Sequence, residues 1–376
     1  MRYTLVDGMR GHLLLGMMYA HMSFSTAVPF ASYFHHAKWI GLYDAEFFIP
    51  ISGFLIGLLC FGTDRPRSFG RFAVTRLRVI YGYMLICHVP FLLDGLTGVD
   101  WAESPGAGTR LLVESLLLQK GGYYADILII YICCFLVCGG LSALFGADLR
   151  KWCAGSALIY AASQVEGSAG LFGLVGGFQP FDIAAWQFLF VIFVALGGWS
   201  PALRRRALAA PAWAAPVLAI GGLWLTASAA HGLPPFNLHP ALNGFDGRME
   251  LTPFYLVRVL AGCLAITAIL VGRDALTAPA RAALRWYFSL GPLRRVGRWS
   301  IQAFTLHVLL MAAAIQVDWT ALSTPLRAAA LVGAVALFFG LMQLYALWRE
   351  APSDAASGAP SGAEAASGAR SAGGRG

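Results

Sequence analysis

The stretch "LVDGMRGHLLLGMMYAHMSF", Leu5 to Phe24, decides how the rest of the chain is read. It places Asp7, Arg10, His12 and His21 at the mouth of, or inside, an apolar run that continues to about residue 34. That run exceeds the roughly 7–15 residues of a secretory signal's apolar region, and no small-residue cleavage pattern follows it. A retained first membrane span is therefore expected over 12–34. Ionisable groups are costly in hydrocarbon and, where they occur, mark the bundle interior or a functional pathway. Eleven residues carry an α-helix through three turns to within about 20° and along about 16 Å. Arg10 and His21 thus share one face, with Leu14 and Met17 between them, and Asp7 can pair with Arg10 at i,i+3. His12 points elsewhere, and an interfacial position is expected for it.

Composition extends this reading to the whole chain. The 376 residues are 58% hydrophobic and 12% charged, with a mean hydropathy of +0.66, against about 25% charged in a soluble domain. The predicted fold is all-α, a polytopic transmembrane bundle of about ten spans, near 12–34, 46–62, 79–97, 123–145, 154–174, 180–200, 211–231, 252–272, 299–317 and 326–348, each long enough to cross the hydrocarbon. Only six of the 27 Lys and Arg (Lys38, Arg110, Lys120, Arg248, Arg258 and Arg327) fall outside one alternating set of segments. The positive-inside bias then puts both termini in the cytoplasm. The net charge of +8 is spread along the inner segments, which excludes nucleic acid as its partner; the lipid bilayer is the partner expected. A membrane domain over 1–350 and a disordered Ala-, Gly- and Ser-rich tail over 351–376 are predicted. The seven cysteines lie in or beside apolar runs and read as small core residues; no metal site is expected.

Two further clusters carry chemistry. "YDAEFFIPISGFLIGLLCF" opens the second span with Asp44 and Glu46, which read equally well as a solvated rim and as functional acids, and brings Ser52 and Gly53 to its middle. "TDRPRSFGRFAVTRLRVIYGY" gathers five arginines, with Arg76 and Arg78 at the start of the third span. Guanidinium forks suit phosphate, either of a nucleotide or of lipid headgroups.

Taken together, "DGMRG", the histidine that follows Arg10 after ten residues, "FFIPISGFLIG" and "RLRVIY" resemble the acyltransferase family 3 membrane enzymes. "DILIIYI" at 126–132, "FDIAAWQFLFV" at 181–191 and "GRWSIQAFTLH" at 297–307 are similar to its OpgC-type branch. Ile129 stands where that branch has a proline, and Asp182-Ile183 where it has Asn-Pro. The resemblance implies an O-acyltransferase of the bacterial inner membrane, moving a succinyl group, or in the alternative an acetyl group, from cytoplasmic acyl-CoA to a hydroxyl of a periplasmic glucan. Acyl-CoA would be a co-substrate, with no cofactor permanently bound and glucan-synthesis machinery as a partner. By the same resemblance His21 would be the general base that takes the acceptor hydroxyl proton, or would otherwise relay the acyl group. Arg10, Arg76 and Arg78 would hold coenzyme A phosphates or shape its entry. Asp44 and Glu46 would orient the acceptor or the imidazole. Trp186, Gln187, Tyr131 and His307 are further candidates, Trp186 as a sugar-stacking ring or an interfacial anchor. Acceptor selection is expected from the connections 98–122 and 232–252. A transporter or flippase is the non-enzymatic alternative, and a purely structural membrane protein a third; no internal repeat supports the transporter.

Overall fold

The computed structural model describes residues 4–64, 66–97, 124–166, 181–232 and 247–351, with a few positions between 110 and 117. The predicted tail beyond Ala351 and most of the two long connections, 98–122 and 232–252, lie outside the described residues. Among those residues the chain is all-helical, without a strand. The helices are α1 (Thr4–Thr26), α2 (His36–Ile40), α3 (Ala45–Phe61), α4 (Phe69–Thr97), α5 (Asp126–Phe145), α6 (Leu149–Glu166), α7 (Ile183–Gly198), α8 (Ser200–Ala209), α9 (Ala214–Ala230), α10 (Pro253–Val271), α11 (Ala278–Ser289), α12 (Gly291–Arg298), α13 (Ser300–Ala314) and α14 (Thr324–Glu350).

Four of them, Phe69–Pro90 within α4, α5, α10 and α14, are long and apolar enough to cross a membrane. The α7–α8 pair, bent by 71°, makes a fifth, and α3, α9 and α13 are shorter apolar helices. Each predicted window holds one helix, but several ends move. The first is displaced by eight residues, to 4–26. Pro29 cannot continue a helix and biases Val28 away from helical backbone, so the chain turns at Ala27, whose φ is 46°. Residues 27–44 then fold back along α1 as a turn, a 3-10 segment and α2. The third begins ten residues early, so Arg71, Arg76 and Arg78 lie on the first turns of α4. The basic segment after α10 contains two helices that hydropathy does not signal, α11 and α12. Asp274 opens that segment. Thr277 donates to it from its backbone N–H at 2.6 Å and from its hydroxyl at 2.7 Å, which holds the carboxyl below its ordinary range.

α1 is the central strut. Leu14 and Met18 are fully buried, and α3, α11, α12, α13 and α14 all pack on it. Close approach is allowed by glycine. α3 and α7 run against each other so tightly that a Cβ on Gly57 would overlap the Val194 carbonyl, and one on Gly197 the Phe54 carbonyl. Gly53 and Gly57 form the small-xxx-small step that permits this. Replacing Gly57 by alanine is expected to cost about 1–3 kcal/mol through overpacking. Thermal unfolding of the purified protein in detergent reads the effect. Gly139→Ala, where a Cβ meets open space, is the control and should not lower the midpoint.

Candidate functional site

α1 and α3 are antiparallel, and their registers fix the depths of the polar groups. A Cβ on Gly16 would meet the Asp44 carboxylate, so the start of α3 sits at the middle of α1. Above that level, toward the end of α1, a cavity of 660 Å³ opens, lined among others by His21, Tyr43, Asp44, Tyr124, Asp126 and Arg248.

His21 is the centre of its wall. Its Nδ1 lies 2.8 Å from Nε2 of His307 on α13, and Tyr124 stacks on its other side at 4.1 Å between ring centroids. His307 is fully buried, and its Nδ1 has no hydrogen-bond partner among the described residues. The 2.8 Å contact needs one proton between two nitrogens. When that proton sits on Nδ1 of His21, Nε2 of His21 keeps its lone pair, the form a general base requires. His307 would then be the acceptor that holds this tautomer, the orienting part that a carboxylate plays in a catalytic triad. Tyr124 holds a left-handed backbone, φ 62°, an uncommon conformation for an aromatic residue. Sequence reading missed it; its signal is "KGGYYAD", a turn sequence just before α5.

The acids are not a solvated rim. Glu46 is fully buried and accepts from Arg248 Nε at 2.5 Å and from the Tyr255 hydroxyl at 2.8 Å. The Arg248 guanidinium lies over the rings of Tyr43 and Phe181, at 4.8 and 5.1 Å. Pro50 of α3 offers no N–H to the Glu46 carbonyl four residues back, and the Cys263 thiol faces that oxygen at 3.9 Å instead. Arg248 is aimed by a pinned segment. Trp186 Nε1 and Asp182 N both donate to the Met249 carbonyl, Gln164 to that of Glu250 and Tyr160 to that of Leu251. Trp186 is thus fully buried behind the wall and props the segment that carries Arg248. Asp182, where the resembled branch has asparagine, caps α7 by accepting from Ala184 N and Ala185 N, a role either residue fills. Gln187 lies in the helix packing, bonded to the Ser156 hydroxyl and carbonyl, and ties α6 to α7.

Arg10 lies two turns into α1, its guanidinium 5.4 Å from the Phe48 ring centre. Asp7, Tyr131 and Arg76 are its charged or polar neighbours, and its Nε has no hydrogen-bond partner among the described residues. Tyr131 donates to the Phe48 carbonyl at 3.0 Å and sits 2.9 Å from the Ser52 hydroxyl. The structure therefore gathers Arg10, Ser52 and Tyr131 from α1, α3 and α5 below His21, about 16 Å along α1 by helical rise. Arg76, on α4, is exposed over Phe72, and Arg78 is exposed.

His12 is not simply interfacial. The returning segment 27–44 and α11 enclose it, with Nδ1 3.1 Å from the Tyr287 hydroxyl and the His36 ring at 5.7 Å. His35 and Asp44 pair at 3.0 Å beside them. Neither His35 nor His36 was singled out by sequence, because they fall just past the predicted span 12–34, in what reads as a short connection.

The OpgC protein family model matches residues 2–351 of this chain. No curated protein and no solved structure matches it.

Proposed function

The chain belongs to the OpgC protein family, and from that premise we propose that it is an inner-membrane O-acyltransferase that moves a succinyl group from cytoplasmic succinyl-CoA to a hydroxyl of a periplasmic glucan. Membership of the family implies an acyltransferase role, and the long apolar helices make it a membrane protein. The finer reading adds ten spans with both termini in the cytoplasm, supported by the alternation of basic segments.

One observation carries the mechanism: the His21–His307 pair on the wall of the 660 Å³ cavity. His21 takes the proton of the acceptor hydroxyl through Nε2. The freed oxygen bonds to the acyl carbon, the thioester C–S bond breaks, and protonated His21 gives its proton to the sulfur, so coenzyme A leaves as the thiol and the imidazole is neutral again. Arg10, with Arg76 and Arg78 toward the inner face, meets the phosphates of the donor, and Tyr131 and Ser52 border its path. Arg248 and Asp44, on the cavity wall, present polar groups to the acceptor, Glu46 holds Arg248 from behind, and the connections 98–122 and 232–252 help select the acceptor. Trp186 and Gln187 serve the reaction by holding the wall rather than by touching the sugar.

The test is purified protein in detergent with succinyl-CoA and unsubstituted glucan. Glucan-dependent release of coenzyme A, with a succinyl mass and one added negative charge on the glucan, is expected. An acetyl mass from acetyl-CoA alone would reassign the donor, and glucan transport without coenzyme A release would replace the enzyme by a transporter.

A further inference from the structure

The segment 27–44, folded back along α1, buries three metal-ligating side chains in one place. His35 and Asp44 are 6% and 3% exposed. Nε2 of His35 lies 3.0 Å from Oδ2 of Asp44, and the His35 and His36 rings are 4.3 Å apart, tilted by 31°. One ligand atom from each of His35, His36 and Asp44 falls within 4.8 Å of the others. Gly16 of α1 makes the room, since a Cβ there would press on Asp44 Oδ1 and His35 Nε2. The Tyr19 ring lies parallel to His35 on the far side, at 6.5 Å.

Hydrogen bonding leaves this group incomplete. Asp44 Oδ1 and His36 Nε2 are both buried without a partner among the described residues. A carboxylate this far from water needs a compensating charge, and a neutral imidazole gives it one bond and no charge. The His35–Asp44 hydrogen bond thus leaves Asp44 Oδ1 and His36 Nε2 unsatisfied beside it, and a cation held by all three side chains would replace that bond and compensate the carboxylate.

We propose that His35, His36 and Asp44 form a binding site for one divalent transition-metal ion of the Zn²⁺ class. Two imidazoles and one carboxylate are the donor set of open, three-ligand zinc sites, which keep a further position for water or substrate oxygen. The absence of thiolate from the set favours such borderline ions over Cu(I). Ligands at about 2.0–2.1 Å from one ion stand roughly 3.0–3.4 Å apart, so the His35–Asp44 separation already suits the ion and His36 closes in by a side-chain rotation. Without metal, Ala37 N–H donates to His35 Nδ1 at 3.2 Å, which places the ring proton on Nε2, facing Asp44. Metal binding moves that proton to Nδ1 and gives up this long hydrogen bond. Asp44 also lines the cavity that His21 borders, so the ion would sit in its wall.

The full-length protein, purified in detergent and stripped with a chelator, is equilibrated with Zn²⁺ and its metal content measured by mass spectrometry. About one equivalent is expected for the wild type. His36→Gln and Asp44→Asn, each checked as a monodisperse peak, are expected to weaken binding at least tenfold, as loss of even an outer-shell partner does by about 10–100-fold. Co²⁺ loaded into the wild type gives a check that needs no variant: weak visible bands of nitrogen and oxygen ligation are expected. No zinc above the micelle blank, wild-type binding by both variants, or an intense thiolate charge-transfer band pointing to the cysteines would each overturn the site.

Discussion

Replacing His21 by alanine is expected to lower glucan acylation by about 10²–10⁴-fold, the contribution of a positioned general base, at unchanged membrane insertion. His21 points into the cavity from the central helix, and its loss removes an imidazole from that wall while Leu14 and Met18, fully buried further down α1, keep the helix packed. The readout is the acyl content of cell-extracted glucan by mass spectrometry, with protein in the membrane fraction quantified in parallel. Persistent acylation at normal insertion would remove His21 from the chemistry. His307 separates positioning from packing. His307→Phe keeps the bulk but leaves Nδ1 of His21 without its acceptor at 2.8 Å, and a partial loss is expected. His307→Gln restores an acceptor oxygen and should recover part of that activity; if both variants behave alike at equal insertion, the tautomer argument fails.

The second large effect is on stability. Arg248→Met is expected to destabilise the protein by about 3–5 kcal/mol, the cost of leaving one partner of a buried ion pair alone. Glu46 is fully buried and holds Arg248 at 2.5 Å, and the guanidinium also covers two aromatic rings. Methionine retains some of that apolar contact, so the loss isolates the charge. Adding Glu46→Gln removes the stranded carboxylate, and the double variant should regain much of the stability, because a neutral amide still accepts from the Tyr255 hydroxyl. Thermal unfolding in detergent decides it. A double variant as unstable as Arg248→Met would mean that the cost lies in packing of the arginine rather than in its charge.

The Arg10-to-His21 spacing shows how far local pattern reaches. Helical period alone put the two on one face, and hydropathy alone located a helix in every predicted window, since both depend on residues a few positions apart. The end of α1 was also written locally, in Pro29, but the apolar run across it hid the stop. What hydropathy cannot signal is an amphipathic helix lodged in a basic segment: α11 and α12 dock on α1 where Gly8 and Gly11 let the backbone at Phe288 and Leu293 come close.

Asp44 and Glu46 mark the boundary more sharply. By sequence they sat at the outer end of a span, where a wet rim and a buried acid look the same. Their burial is set by partners remote in the chain, Arg248 and Tyr255 for Glu46, and by the return of His35 onto Asp44. Trp186 likewise shows an aromatic residue to the sequence but a hydrogen bond to Met249 only to the fold. The sequence by itself determined an all-helical membrane protein and the face of α1 that carries its ionisable groups, because period and transfer free energy are properties of short segments. Only the tertiary structure decided which of those groups meet, because a buried charge or imidazole takes its chemistry from whatever the packing sets against it.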